Sequence, residues 1–525
     1  MNKSISLVVF NEDLTIEWGF GKKYSIGYDT TSLSKVRNQV LEDTSEFILF
    51  WDAKNILPTE RLLKEILNSK GNLWHIGSKI GLKNRPKLLD AIQPTNMLHV
   101  PIDNFIDHSS WKNTFKGCLL EKRVFHEVEL SNYSNSLDII GLDFGHKAMK
   151  KGVITRYSAI LSESVRLAHC NIKKSDELLF IRNNFDTKAF IWSYLMNALK
   201  MPPYSFLKMY KRKEKIKNSI FDQVITKGIL KDKDISVSVV IATLERYSFL
   251  EKELGELRLL SPGVKEIIIV DQTPKEKRNK EFLDAFVDLP IVYIETDKIG
   301  QCTSRNRGIE IAKSKFIWFL DDDMEEIPEN YLEKHLETMY SFDADISCGV
   351  PDEIGTSYVD RSIPKIEMSD GFPTNDVLVK RDLLIKVHGF DVKMDQKQSE
   401  DEELGLRCIK AGALSVKNNK LRIVHLRAAR GGLRNHNVRK VTFSSSRDSL
   451  FQRRFLHHSE IYLKLKHFTR KQVYKSLLLN VRGTFIIRGN IFKKLAKIFF
   501  SIFLLPHTLI IISRNFKLAK KLKND

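Results

Sequence analysis

Short, wholly apolar runs alternate along this chain with stretches whose apolar residues recur every three or four positions. That pattern predicts buried strands separated by amphipathic helices. Residues 5–10 read as a first strand, residues 34–41 as a helix, residues 47–52 as a second strand, and residues 58–67 as a helix opened by Pro58. A second series starts at residues 237–241 and continues with strands at 266–271, 291–294 and 316–321. Helical patterns lie between the first two of these strands, after Asp271, at 304–311 and at 328–336. Strands alternating with helices predict an α/β protein with parallel, doubly wound sheets.

The two series are alike. The helix–strand–helix at 34–67 matches the one at 304–336, and the likeness continues downstream. Gly117–Arg123 parallels Asn375–Arg381, Leu142–Gly152 parallels Glu402–Gly412, and Asp176–Leu178 with Asn183–Phe185 parallels Ser459–Ile461 with Lys466–Phe468. Order and spacing held over four landmarks predict two copies of one architecture, far longer than a solenoid period. The first copy is shorter before residue 47, by enough to lack a strand–helix–strand unit. The expected division is residues 1–220, residues 235–440, and a basic helical tail from 441 to 525.

Chemistry concentrates in the second copy. The run Phe316–Leu320 feeds directly into Asp321, Asp322 and Asp323, and the carboxyl ends of strands in open α/β sheets are where ligands sit. Three adjacent carboxylates repel one another unless a cation or hydrogen-bond donors neutralise them; they read as a site for Mg²⁺ or Mn²⁺ bridging to a phosphate, or as a solvated acidic loop capping the helix that begins near residue 328. Asp271 closes its own strand and is expected in the same crevice. Arg305, near a helix start, is placed either on a diphosphate or on the solvent face, with Gly308 taking a close helix–sheet contact. Residues 399–403 form a second acidic cluster entering a helix, where acids also serve the helix dipole. His425 is either a metal or phosphate ligand or a structural residue, and Arg430 and Arg434 follow on a Gly-rich turn suited to clamping a diphosphate. In the first copy these acids are gone: Asp52, Ala53 and Lys54 stand for 321–323, and Ile140 and Gly141 for Glu400 and Asp401.

The formal net charge is +20 on 525 residues, and no zinc-finger spacing accompanies it, so nucleic acid has no support beyond the charge. Five scattered cysteines show no disulfide framework and no paired metal spacing, which suits a reducing compartment.

Residues Ser238–Thr243, Ile269–Asp271, Arg305–Ile309, Phe319–Asp323 and Glu400–Leu404, in this order, resemble the family 2 glycosyltransferases of GT-A fold. The resemblance covers about residues 236–435 and, through the repeat, weakly 1–152. It implies inverting transfer of a sugar from a nucleotide-sugar. It also implies Thr243 and Asp271 facing the base and ribose, Asp322 the ribose, Asp321 and Asp323 the metal and diphosphate, and Asp401 as the base with Glu400 positioning. The chain has Thr243-Leu244-Glu245 where the family usually has Thr-Tyr-Asn, and Gln272-Thr273 where an Asp and a Gly are common.

The tail is basic and apolar. Residues 498–512 fall short of the ~20 apolar residues that span a bilayer, with Pro506 at their middle. They read as monotopic insertion into an anionic leaflet, or as a packed helix pair. The expectation is a metal-dependent glycosyltransferase, peripheral or monotopic on the cytoplasmic face of a membrane. It would use a nucleotide-sugar donor and a saccharide or lipid-linked acceptor in cell-surface polysaccharide synthesis. The competing readings are a metal-dependent nucleotidyltransferase, which lacks its basic Gly-rich loop after Ile241, and a non-catalytic carbohydrate-binding scaffold.

Overall fold

The computed structural model describes residues 3–10, 17–77, 80, 87–165, 172–196, 204–211, 219–231, 233–260, 263–354, 361–369, 371–427 and 443–525. Arg430, Arg434 and Cys170 lie outside the described residues.

In the first unit, β1 (Ile5–Phe10), β2 (Lys23–Ile26), β3 (Phe47–Asp52), β4 (Leu73–His75), β5 (His108–Ser109), β6 (Gly117–Glu121) and β7 (Thr155–Tyr157) form one sheet in the order β2-β1-β3-β6-β4-β7-β5. In the second, β8 (Val237–Thr243), β9 (Val264–Asp271), β10 (Ile291–Glu295) and β11 (Phe316–Asp321) come first. After β12 (Met324–Glu325) come β13 (Ile346–Cys348), β14 (Asp352–Glu353), β15 (Ile366–Met368), β16 (Asp376–Lys380), β17 (Ser415–Asn418) and β18 (Val424–His425). The main sheet runs β10-β9-β8-β11-β16-β13-β17-β15, and β12, β18 and β14 make a small sheet beside it.

Strand for strand, the first sheet is the second without β10. The correspondence includes direction: β3 with β6 and β11 with β16 are antiparallel, while β4 with β7 and β13 with β17 are parallel. The sheets are therefore mixed rather than wholly parallel. What the first copy lacks is one strand and one helix, since β2 and the helix Thr30–Glu42 remain between β1 and β3. After Asp271 the chain makes 3-10 turns (Lys275–Lys277 and Glu281–Phe286) instead of an α-helix. The register also moves one landmark by a residue: Phe47 pairs with Glu121 and Phe316 with Lys380, so Glu121 corresponds to Lys380.

The apolar runs are buried on both faces, as their composition requires. Along β11, Ile317 and Phe319 enter one apolar cluster and Phe316, Trp318 and Leu320 the other. Along β3, Ile48 and Phe50 part from Phe47, Leu49 and Trp51 in the same way.

Equivalent polar groups repeat equivalent bonds. Asn72 accepts from the Ile154 amide at 3.0 Å and donates to Glu121 at 2.8 Å. Asp345 accepts from the Leu414 amide at 2.9 Å and from Lys380 at 3.0 Å. Deeper still, buried Asp143 takes Lys147 at 2.9 Å and Asn184 at 2.5 Å, where Glu403 takes Arg407 at 2.6 Å and His467 at 3.0 Å. Buried acids need such partners, and both copies supply them one helical turn on and from a later helix.

The units pack reciprocally. Helix Leu137–Lys151 of the first touches β15 of the second, and helix Glu400–Lys410 of the second touches β5 of the first. Gly152 and Gly412, corresponding residues with φ of 98° and 90°, both close their helices at this boundary. A Cβ on Gly152 would lie 2.7 Å from the Ile366 carbonyl oxygen, and one on Gly412 would lie 2.9 Å from that of Asp107. Each contact answers the other, as an approximate two-fold relation requires.

Beyond residue 440 the described chain is helical and packs against the second unit. Ile461, Leu463, Phe468, Val473, Ile512 and Ala519 lie in the same apolar cluster as Phe319 and Val377. The run 498–512 is broken into helices Ile491–Phe503 and Leu505–Asn524, bent by 63°, with Pro506 in the first turn of the second helix. No single described helix is long and apolar enough to cross a membrane, and this bent pair passes on length and composition together.

Candidate functional site

The carboxyl ends of β8, β9 and β11 open on one crevice, as their parallel registers dictate. Asp321 closes β11 with its side chain part-exposed, and accepts from Arg305 Nη2 at 2.9 Å. Arg305 is buried and its other terminal nitrogen stands 3.5 Å from Glu400 Oε1, so one guanidinium ties the acid triplet to the catalytic-helix candidate. Gly308, one turn further on, faces β8 so closely that a Cβ would meet Val240 Cγ1 at 2.4 Å. This segment does two things at once: it makes a close helix–sheet contact and turns an arginine into the crevice.

Asp322 points inward. It accepts from Thr243 Oγ1 at 2.8 Å and from Arg246 Nη1 at 2.7 Å. Burial, and then the charge of Asp323, outweigh these donors and push its pKa up to about 6. Beneath it, fully buried Glu253 is driven well above the ordinary carboxylate range by burial and by the charges of Asp322, Asp323 and Asp321. Two carboxyls whose ionisation is opposed by burial and by the neighbouring acids mark a site that favours positive charge.

The small sheet completes the centre. β12 pairs antiparallel with β18, setting Met324 opposite His425, and the Leu426 amide donates to the Asp323 carbonyl at 3.0 Å. His425 Nε2 therefore stands 3.3 Å from Asp323 Oδ1. Burial lowers the imidazole pKa, but the hydrogen bond to Asp323 and the charges of Asp321, Asp323 and Glu353 prevail and raise it. Ligand atoms of Asp321, Asp323 and His425 all lie within 4.8 Å of one another. Two carboxylates and an imidazole suit a divalent cation such as Mn²⁺.

The four acids of 400–403 separate into different tasks. Glu400 faces Arg305, whereas Asp401 is half-exposed on the first turn, where its Oδ1 caps the Glu402 amide at 2.8 Å. Glu402 keeps an exposed surface, and the crowding of protein around its carboxyl, and then the charge of Asp401, raise its pKa. Glu403 is wholly buried, and its hydrogen bonds to His467 and Arg407 overcome burial to hold it far below the ordinary range. Ser399, before this helix, has φ of 72°, and Glu245, after β8, has φ of 57°. Such left-handed non-glycine residues are strained, and here they flank the crevice.

Asp271 is placed at the end of β9 as expected, but it is fully buried. It accepts from Tyr247 OH at 2.6 Å, from the Thr273 amide at 2.8 Å, and from Tyr293 OH in a short bond. Thr243 is likewise buried against Asp322. Sequence reasoning did not find Arg246, Tyr247, Tyr293 or Glu253. The signal for Arg246 was its place, three residues beyond the carboxyl end of the first strand of the unit. Glu253 sits on an ordinary helical pattern and carries no local mark.

Residues 238–392 match the family model described as glycosyl transferase family 2. No curated protein matches the chain. Among solved structures it is similar to GalNAc-T7 with UDP, GalNAc and Mn²⁺, at 16% identity and TM-score 0.32, covering 37% of this chain and 44% of that one. It is also similar to the mannosyltransferase PcManGT from Pyrobaculum calidifontis in complex with GDP-Man and Mn²⁺, at 12% identity and TM-score 0.34, covering 57% and 92%. A third is S. aureus TarS 1–349 in complex with UDP-GlcNAc, at 12% identity and TM-score 0.36, covering 55% and 91%.

Proposed function

We propose that this protein is a metal-dependent, inverting glycosyltransferase that moves a sugar from a nucleotide-sugar to a saccharide or lipid-linked acceptor in cell-surface polysaccharide synthesis. One observation carries the reading: Arg305 links Asp321, in a three-residue cation site, to Glu400 beside Asp401. Asp321, Asp323 and His425 would hold Mg²⁺ or Mn²⁺, which supplies positive charge to the leaving diphosphate when bound. Asp401, half-exposed at a helix start, takes the proton of the acceptor hydroxyl as its oxygen attacks the anomeric carbon. Glu400, held by Arg305, keeps that helix end in register with the donor. Tyr247 and Tyr293, bonded to Asp271, and Arg246, bonded to Asp322, would hold in place the acids that meet the nucleoside.

The first unit is read as non-catalytic. Its remaining acid, Asp52, is buried and bonded to Tyr28 OH and to the Lys54 amide at 3.0 Å. The helix Ile491–Phe503 is read as a monotopic contact with the cytoplasmic face of a membrane. Ile491, Phe492, Leu495, Phe499, Ile502 and Phe503 are exposed on it among lysines.

The test is calorimetry of nucleoside diphosphates with Mn²⁺, alongside release of nucleoside diphosphate from a panel of nucleotide-sugars. Asp321→Ala and Asp323→Ala should each abolish metal-dependent affinity. Unchanged affinity in both variants overturns the assignment.

A further inference from the structure

A cavity of about 760 Å³ lies away from the acid site, between the helical end of the first unit and the last helices of the chain. Residues 92–93 and 185–189 form one wall and residues within 446–494 the other. Lys188, Arg447, Arg454, Arg482, Arg488 and Lys494 line it against one acid, Asp186, among the described residues. With Glu460 and Asp448, which pair with Arg454 and Arg488 just behind the lining, the cavity keeps an excess of three positive charges. Like charges so gathered repel one another, and the arrangement is relieved by an anion.

Three of the six are engaged within the protein. Arg454 donates to Glu460 at 2.7 Å, Arg482 lies 4.6 Å over the Trp192 ring, and Arg488 is 3.3 Å from Asp448. Lys188, Arg447 and Lys494 are exposed, and among the described residues no acid stands within ion-pair distance of them.

Two features identify the anion. Lys494 belongs to helix Ile491–Phe503, so the cavity adjoins the surface on which Phe492, Phe499 and Phe503 are exposed. On the other side, Glu460, held by Arg454, accepts from Gln398 Nε2 at 3.1 Å, two residues before Glu400. The cavity thus stands between an apolar, lysine-flanked surface and the helix that carries Asp401. We propose that it binds the phosphate or diphosphate of a lipid-carried acceptor, and that the first unit serves the enzyme by building one of its walls. The word acceptor rests on the glycosyltransferase reading; the anion site does not.

The experiment uses the full chain and the triple variant Lys188→Gln/Arg447→Gln/Lys494→Gln. Pyrophosphate binding is measured by calorimetry in EDTA, which keeps the Asp321 site out of play. Sedimentation with phosphatidylcholine–phosphatidylglycerol vesicles is compared with phosphatidylcholine alone, and nucleoside diphosphate binding with Mn²⁺ is followed in parallel. Pyrophosphate affinity should fall by about 10²-fold, as expected when three charge-assisted hydrogen bonds are removed, and binding to the anionic vesicles should fall with it. Nucleoside diphosphate affinity should be unchanged, which also shows that the variant folds. Equal pyrophosphate affinity in both proteins overturns the site. Weakened pyrophosphate binding with unaltered vesicle binding overturns the lipid source and assigns a soluble phosphate. Absence of nucleoside diphosphate binding in both proteins sinks the glycosyltransferase reading while leaving the anion site standing.

Discussion

Replacing Asp322 by Asn tests the electrostatics of the site. The Asp322 carboxyl is buried beside Asp323, and its pKa is raised from the ordinary 3.8 to about 6 despite the Arg246 ion pair. A raised acid destabilises the fold wherever it is ionised. Its stability contribution is intact below pH 3.8, declines as pH rises through about 6, and is fully lost above that. A shift of about two units corresponds to about 3 kcal/mol. Asn has the shape of the neutral acid: its amide oxygen accepts from Arg246 Nη1 and its amide nitrogen donates to Thr243 Oγ1, whose hydroxyl turns to accept, though Arg246 loses a charged partner. Without divalent cations, Asp322→Asn should therefore be more stable than the parent by roughly 1–3 kcal/mol near neutral pH. The gain should vanish below about pH 4, where the parent carboxyl is itself neutral. Urea midpoints in EDTA measured across that range are the assay, with nucleoside diphosphate and Mn²⁺ added in a second series. The parent should then recover the difference, because bound cation favours the ionised carboxylates. A variant less stable than the parent at neutral pH, or a difference that does not change with pH, refutes the reasoning.

Three further outcomes are expected. Asp401→Asn should leave donor Kd unchanged and lower kcat by about 10²–10⁴-fold, the usual worth of a general base; a near-parental rate moves that role to Glu400 or Glu402. Asp52→Ala should leave steady-state transfer nearly intact, and a loss like that of Asp323→Ala would make the first unit catalytic. His75 is fully buried and neutral, donating to the Ser110 carbonyl at 2.8 Å and accepting from the Gly77 amide, and burial lowers its pKa to about 4. A lowered histidine gives stability that is full above its unfolded value and is lost as pH falls through about 4, on the order of 3 kcal/mol here. His75→Gln should flatten the acid limb of the urea midpoint, and an unchanged limb would show that other groups set it.

The apolar run at 316–320 and the acids after it are self-announcing, because a strand buried on both faces must be continuously apolar and can turn polar only where it leaves the core. The same local logic made the repeat legible: Asp143 with Lys147 and Glu403 with Arg407 recur at one spacing because each buried acid needs a cation one turn away. Asp321, Asp323 and His425 were all candidates in the chain, but their meeting depended on a two-residue pairing of β12 with β18. Strand partners are chosen by long-range packing, so neither that pairing nor the antiparallel insertion of β16 between β11 and β13 is written in any local period. The fates of residues 400–403 were hidden for the same reason, since one helix turn carries all four acids and only their neighbours differ. Tertiary structure also decided the end of the chain. Its lysines and apolar residues read as a membrane tail, yet Ile512 and Ala519 are buried in the core of the second unit, while Phe499 and Phe503 on the preceding helix are left in solvent. An apolar residue is driven out of water in either case, and whether protein or lipid receives it is settled by what the fold brings alongside.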